Sequence, residues 1–124
     1  MSFSGDKEEL ARGARTAIIL PDLPAGAVGP VRRDRDARLG EAKGLALAIG
    51  LDVVASQAFG VRKVNPATLF GKGQTDILAA LVEDEQIELA VVDGALTPIQ
   101  QRNLETALKC KVIDRTALIL EIFG

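Results

Sequence analysis

The chain has 124 residues, 48% hydrophobic and 26% charged, with 15 Lys+Arg against 17 Asp+Glu. That length supports one domain with its own core, without a disulfide or metal staple. Histidine is absent and Cys110 is the only cysteine, which excludes Ser/His/Asp and Cys/His catalysis, histidine ligation and CxxC zinc sites.

The apolar set is Ala, Leu, Ile and Val, with four Phe and no Tyr or Trp, so an aromatic platform for stacking bases is excluded as well. No apolar run approaches the ~18 residues that cross a membrane, and no secretory leader is visible. A soluble, cytoplasmic chain is expected.

Residues 1–15 show no steady period and read as a flexible N-terminus. Thr16–Leu20 is a short β-branched run, followed by a loop over Pro21–Val31 with three prolines and two glycines. From Asp34 the pattern turns helical: Leu39, Ala42, Ala46 and Ile49 form a stripe, and Gly50 stands where a left-handed cap belongs. A second strand runs from Val53 to Phe59, and a loop from Gly60 to Phe70. Thr75 or Asp76 is expected to cap a helix that buries Ile77, Leu78, Leu81 and Val82.

Leu89–Val92 is a third strand, and Thr97-Pro98 opens a third helix with proline at its first position. Lys111–Ile113 is a fourth strand. Asp114 caps a last helix carrying Leu118, Ile119, Ile122 and Phe123. The β-α-β-α-β-α-β-α order implies an α/β fold, a small three-layer domain with a four-stranded parallel sheet.

Charge is unevenly spread. Residues 32–72 carry a net +4 and residues 73–124 a net −5. Arg32, Arg33, Arg35, Arg62, Lys63 and Lys72 are therefore candidates for phosphate contact. In open parallel sheets ligands bind beyond the carboxyl ends of the strands. Gly71-Lys72-Gly73 lies there before a helix, where free N–H groups and a lysine suit an anion, or where the glycines simply turn the chain.

Phosphate-binding motifs fail on inspection: a Walker A loop needs glycine at Pro66 and Ser/Thr at Gly73, and a dinucleotide loop needs glycine at Asp76. Asp22 and Asp93 follow the first and third strands, but the further acid and the lysine of a response-regulator pocket are missing. Gln100, Gln101, Arg102 and Asn103 read as exposed polar residues of the third helix. Cys110 reads as a small core residue.

Three stretches resemble the N-terminal domain of HflX-type GTPases, ribosome-associated GTP-binding proteins. They are Asn65-Pro66-Ala67-Thr68-Leu69-Phe70-Gly71-Lys72-Gly73, the run from Asp93 to Glu105 that includes Leu96-Thr97-Pro98, Gln100 and Arg102-Asn103-Leu104-Glu105, and Val112-Ile113-Asp114-Arg115-Thr116 through Phe123. The likeness covers about residues 16–123. It departs at Leu69, where an aromatic is usual, at Phe70, where isoleucine is common, and at Gln74, where a lysine closes the family signature.

The resemblance implies a division of labour. Residues 16–114 form the HflX-type domain, and 115–124 begin a helix leading to a helical hairpin and a G domain outside this chain. GTP hydrolysis, with GTP and Mg²⁺, belongs to that G domain, and this fragment is expected to need no cofactor and to be non-catalytic. Its implied partners are rRNA of the large ribosomal subunit and its own hairpin and G domain, in a parent that splits or rescues ribosomes.

Gln100, Arg102, Asn103, Asp114 and Arg115 are then expected to couple the domains. The last helix should leave an apolar patch able to form a dimer. The alternative is an ATP-binding domain whose crevice uses Gly71, Lys72 and Gly73 for phosphate and Asp22 or Asp93 for Mg²⁺.

Overall fold

A computed structural model describes residues 13–22 and 35–123, except for the side chains of Arg35 and residues 121–123. The expectations for residues 1–12, for the 23–31 loop and for Arg32 and Arg33 lie outside the described residues, as does the side chain of Arg35.

Eight elements alternate: β1 (Arg15–Asp22), α1 (Arg35–Ala48), β2 (Asp52–Gly60), α2 (Lys72–Glu85), β3 (Leu89–Val92), α3 (Pro98–Leu108), β4 (Lys111–Asp114) and α4 (Arg115–Phe123). All three strand pairings are parallel, in the order β2-β1-β3-β4. The two central strands are covered on both sides, which is why their sequences are continuous apolar runs.

Side-chain alternation divides the core in two. Ala17, Ile19, Ala90, Val92 and Val112 face α2 and α3, packing with Leu78, Val82, Leu104 and Leu108. Ile18, Leu89, Val91 and Ile113 face α1 and α4, packing with Ala42, Ala46 and Leu118. None of the described helices is long and apolar enough to cross a membrane.

Several local expectations need correction. Pro21 and Asp22 belong to β1 rather than to the following loop. The carbonyl of Ile19 accepts from Asp93 on the β3 side, and that of Asp22 accepts from Val61 on the β2 side. Pro21 shares the parity of Ile19, so its missing N–H lies beyond Val92, where β3 has ended and no donor is required.

Helix α2 begins a turn earlier than Thr75 or Asp76 would set it, with Gly71 as its cap residue. The side chain of Gln74 reaches back to the Gly71 N–H (3.2 Å), half of a capping box. Leu78 and Val82 are buried as the stripe requires and Leu81 packs at its edge, whereas Thr75 is buried in place of Ile77, which is 52% exposed.

Leu118 of α4 is fully buried among Ala42, Ala46 and Ile113 within this domain, whereas Leu120 is exposed.

Candidate functional site: the carboxyl edge of the sheet

The chain leaves β1 for β2 on one side and then crosses to β3 on the other. The switch point therefore lies between the carboxyl ends of β1 and β3, where open α/β sheets bind ligands. Two buried carboxylates stand there, Asp22 and Asp93. By alternation both share the α1/α4 face with Ile18 and Val91.

Arginines from the two covering helices meet them. Arg115 Nη1 of α4 donates to Asp93 Oδ1 at 2.8 Å, and its Nη2 lies 3.8 Å from Glu41 of α1. Arg38 Nη1 of α1 is 4.0 Å from Asp22 Oδ1. A Cβ on Gly94 would approach Pro21 Cγ to 3.2 Å, so a larger residue in the turn after Asp93 would require the Pro21 ring to give by a few tenths of an ångström.

Gly71-Lys72-Gly73 starts α2, a helix packed on the opposite face of the sheet. The five residues named for a nucleotide crevice are thus divided between two faces. Lys72 points outward and pairs with Asp76 at 3.3 Å. Neither glycine has a positive φ. The left-handed residue of this loop is Leu69 (φ 70°), buried in the core.

Gln74 donates its Nε2 to the Gly60 carbonyl at 2.6 Å and fastens α2 to the end of β2. Among the described residues no group of three or more His, Cys, Asp or Glu is placed to hold a metal ion. Arginine pairing of Asp22 and Asp93 makes that pair a poor donor set for Mg²⁺.

The loop between β2 and α2 is rigidly framed. Asn65 and Leu69 exchange both backbone hydrogen bonds (3.1 and 2.7 Å), and Phe70 packs edge-to-face on Phe59. Two amides of α3 hold the loop from outside: Gln100 Nε2 donates to the Asn65 carbonyl (3.1 Å) and Asn103 Nδ2 to the Ala67 carbonyl (2.9 Å). Arg62, Lys63 and Val64 are left exposed on this frame.

The expectation that Gln100, Gln101 and Asn103 are plain surface residues is therefore corrected. Gln100 is buried, and its Oε1 also accepts from the Thr97 N–H, closing a capping box. Gln101 binds the Val112 carbonyl (2.8 Å). Asp114 accepts from the N–H groups of Leu96 and Ala117, joining the β3–α3 loop to the start of α4. Of the residues expected to couple domains, Gln100, Asn103, Asp114 and Arg115 thus have partners within this one, and Arg102 faces outward.

Sequence reasoning missed the loop-holding amides, Arg38 and Glu41. The available signal was spacing: Gln100 and Asn103 share a helical face beside buried Leu104.

This architecture places the chain among parallel α/β domains. Chain comparison makes the class specific: the chain belongs to the GTP-binding GTPase N-terminal family, which matches residues 36–124. The relatives are of HflX type. GTPase HflX of Magnetococcus marinus is 53% identical over 95 residues, covering 76% of this chain and 22% of that protein. The Caldanaerobacter subterraneus protein of the same name is 36% identical over 94% of this chain and 26% of its own length, and the Escherichia coli one is 34% identical over 74% and 22%.

The chain therefore spans about a quarter or less of these curated relatives. A crystal structure of a GTP-binding protein from Sulfolobus solfataricus in complex with GDP shares the fold. Its TM-score is 0.60 at 20% identity, covering 88% of this chain and 30% of that one.

Proposed function

We propose that this domain docks a GTP-hydrolysing parent onto the large ribosomal subunit in the cytoplasm and reports that contact to the rest of the parent, without chemistry of its own. Within this reading GTP and Mg²⁺ are handled by the parent's G domain, and α4 leads toward the helical hairpin before it. The observation carrying the proposal is the framed loop at the carboxyl edge. Arg62 and Lys63 project from a backbone fixed at both flanks, with Lys72 on the helix that Gln74 ties to the same edge.

Cations on a rigid support suit a phosphate backbone, which supplies affinity and positioning rather than base reading. The switch-point carboxylates, already met by Arg38 and Arg115, add little repulsion there. Outward-facing Arg102 is the residue of α3 best placed to touch a neighbouring domain or rRNA.

Cosedimentation with purified large subunits tests this. The double variant Lys63→Glu/Lys72→Glu should weaken binding, with the log–log salt slope falling by about one per lysine removed. Unchanged binding at moderate salt overturns the assigned surface. Saturable heat on titrating ATP into the chain would favour the nucleotide-binding alternative instead.

A further inference from the structure

The turn from β3 to α3, residues 93–97, connects with the framed loop on one side and with the start of α4 on the other. Its last two amides are held by side chains of different elements. The Leu96 N–H donates to Asp114 Oδ2 (3.2 Å), and the next N–H, that of Thr97, donates to Gln100 Oε1 (3.0 Å).

Each of these two side chains has a second partner. Asp114 Oδ1 accepts the Ala117 N–H at 2.9 Å and so caps α4. Gln100 Nε2 donates to the Asn65 carbonyl at 3.1 Å, the same carbonyl that accepts the Leu69 N–H at 2.7 Å. An unbroken line of bonds therefore runs from the loop carrying Arg62 and Lys63, through Gln100, Thr97, Leu96 and Asp114, into the first turn of α4. Two more bonds tie the turn to that helix. Arg115 Nη1 donates to Asp93 Oδ1 (2.8 Å), and the Arg115 N–H donates to the Gly94 carbonyl (3.4 Å).

A carboxylate that caps a helix and anchors a turn keeps both bonds only while helix and turn stay in register. Gln100, closed into a capping box at one end and fixed to the loop at the other, imposes the same condition on turn and loop. The directionality of hydrogen bonds makes both conditions strict.

We propose that the 93–97 turn is a joint coupling the 62–70 loop to α4, with Gln100 and Asp114 as its two arms. The coupling belongs to this domain alone, and its use as a report of phosphate contact rests on the docking proposed above. Displacing the loop draws on Gln100 and, through the turn, loosens the Asp114 cap. Releasing the cap loosens the loop to the same extent, because coupling is reciprocal.

The test is native-state amide exchange in the 124-residue chain, read at Asn65 and Leu69, far from the substituted position in sequence. Asp114→Asn keeps an acceptor for the Ala117 N–H but sets an amide donor against Leu96. Asp114→Ser also caps well and is too short to hold both partners, which guards against a fault peculiar to asparagine. Either should speed exchange at Asn65 and Leu69 at least about fivefold beyond its effect on Leu78 and Val82 of α2. In a chain already carrying Gln100→Ala, neither should add a selective effect at the loop. Ala46→Gly, which weakens α1 outside the path, should not favour the loop.

Uniform acceleration or none, a loop effect undiminished by Gln100→Ala, or selective loop acceleration by Ala46→Gly each overturns the proposal. Cosedimentation with large subunits reads docking separately, so failure of the joint and failure of the docking surface are told apart.

Discussion

The two edges of one small sheet handle charge in contrasting ways. At the carboxyl edge, buried Asp22 and Asp93 are met by arginines from helices on the same face, and the exposed charged side chains on the neighbouring loop are cations. At the amino edge, Glu83 and Asp84 stand at a helix C-terminus with no basic residue in its last turn. The buried carboxylates are answered internally and serve the fold, whereas Arg62 and Lys63 at one edge and Glu83 and Asp84 at the other have no ion-pair partner among the described residues. Electrostatics that a domain does not settle internally are the better guide to where it meets other molecules.

The largest expected effect breaks the resolved edge. Arg115→Ala leaves Asp93 buried and facing Glu41 without its cation. It should cost roughly 2–4 kcal/mol in urea unfolding, a buried-pair value discounted because Arg115 is partly exposed. Adding Asp93→Asn should return part of that loss, and full additivity of the two changes would show that the pair is not coupled.

Next comes the loop frame. Gln100→Ala removes a buried amide, leaves the Asn65 carbonyl with the Leu69 N–H alone and takes the acceptor from the Thr97 N–H, a loss of about 1–3 kcal/mol. Asn103→Ala should cost about 1 kcal/mol at its more exposed bond.

Substitutions at the amino edge should go the other way. Gln86, the α2 C-cap, holds φ 56° and ψ 46°, so Gln86→Gly should stabilise by about 0.5–1 kcal/mol. Glu83→Gln/Asp84→Asn should stabilise by about 0.3–1 kcal/mol at low ionic strength, with the gain fading in salt. If these substitutions destabilise, the contrast between the edges fails.

Cys110, just before β4 on this edge, gives a neutral-pH readout. Burial, with the Glu105 charge adding to it and the Ala90 backbone opposing, pushes its thiol from about 9.0 up to about 11. Alkylation at pH 8 should therefore be far slower in the folded chain than in urea. The unfolded thiol loses its proton first, so this group's contribution to stability is intact below pH 9 and declines between 9 and 11. Equal alkylation rates would show an open amino edge around β4.

Much of the fold was legible because its signals are local. Leu89–Val92 and Thr97-Pro98 declare a buried strand and a helix start, and the alternation of elements fixes the parallel sheet. The start of α2 was misplaced because the contacts that fix it, Gln74 to Gly71 and to Gly60, include one across 14 positions, and of the expected face only Ile77 lies outside the core.

The site was less readable. Strand parity sends Asp22 and Asp93 to one face and the α2 start to the other, so nearness to the same edge did not mean a shared pocket. The left-handed turn at Leu69 has no glycine to announce it. The partners of Gln100 and Asn103 lie 35 and 36 positions away.

Uncharged amides hold the loop that carries Arg62 and Lys63. Neither Gln100 nor Asn103 titrates, and neither bond rests on an ion pair, so salt has little purchase on the shape of the loop. Ionic strength then acts on the contact and not on the scaffold behind it. A salt titration of this surface therefore counts phosphates engaged, because no ordering step is folded into the slope.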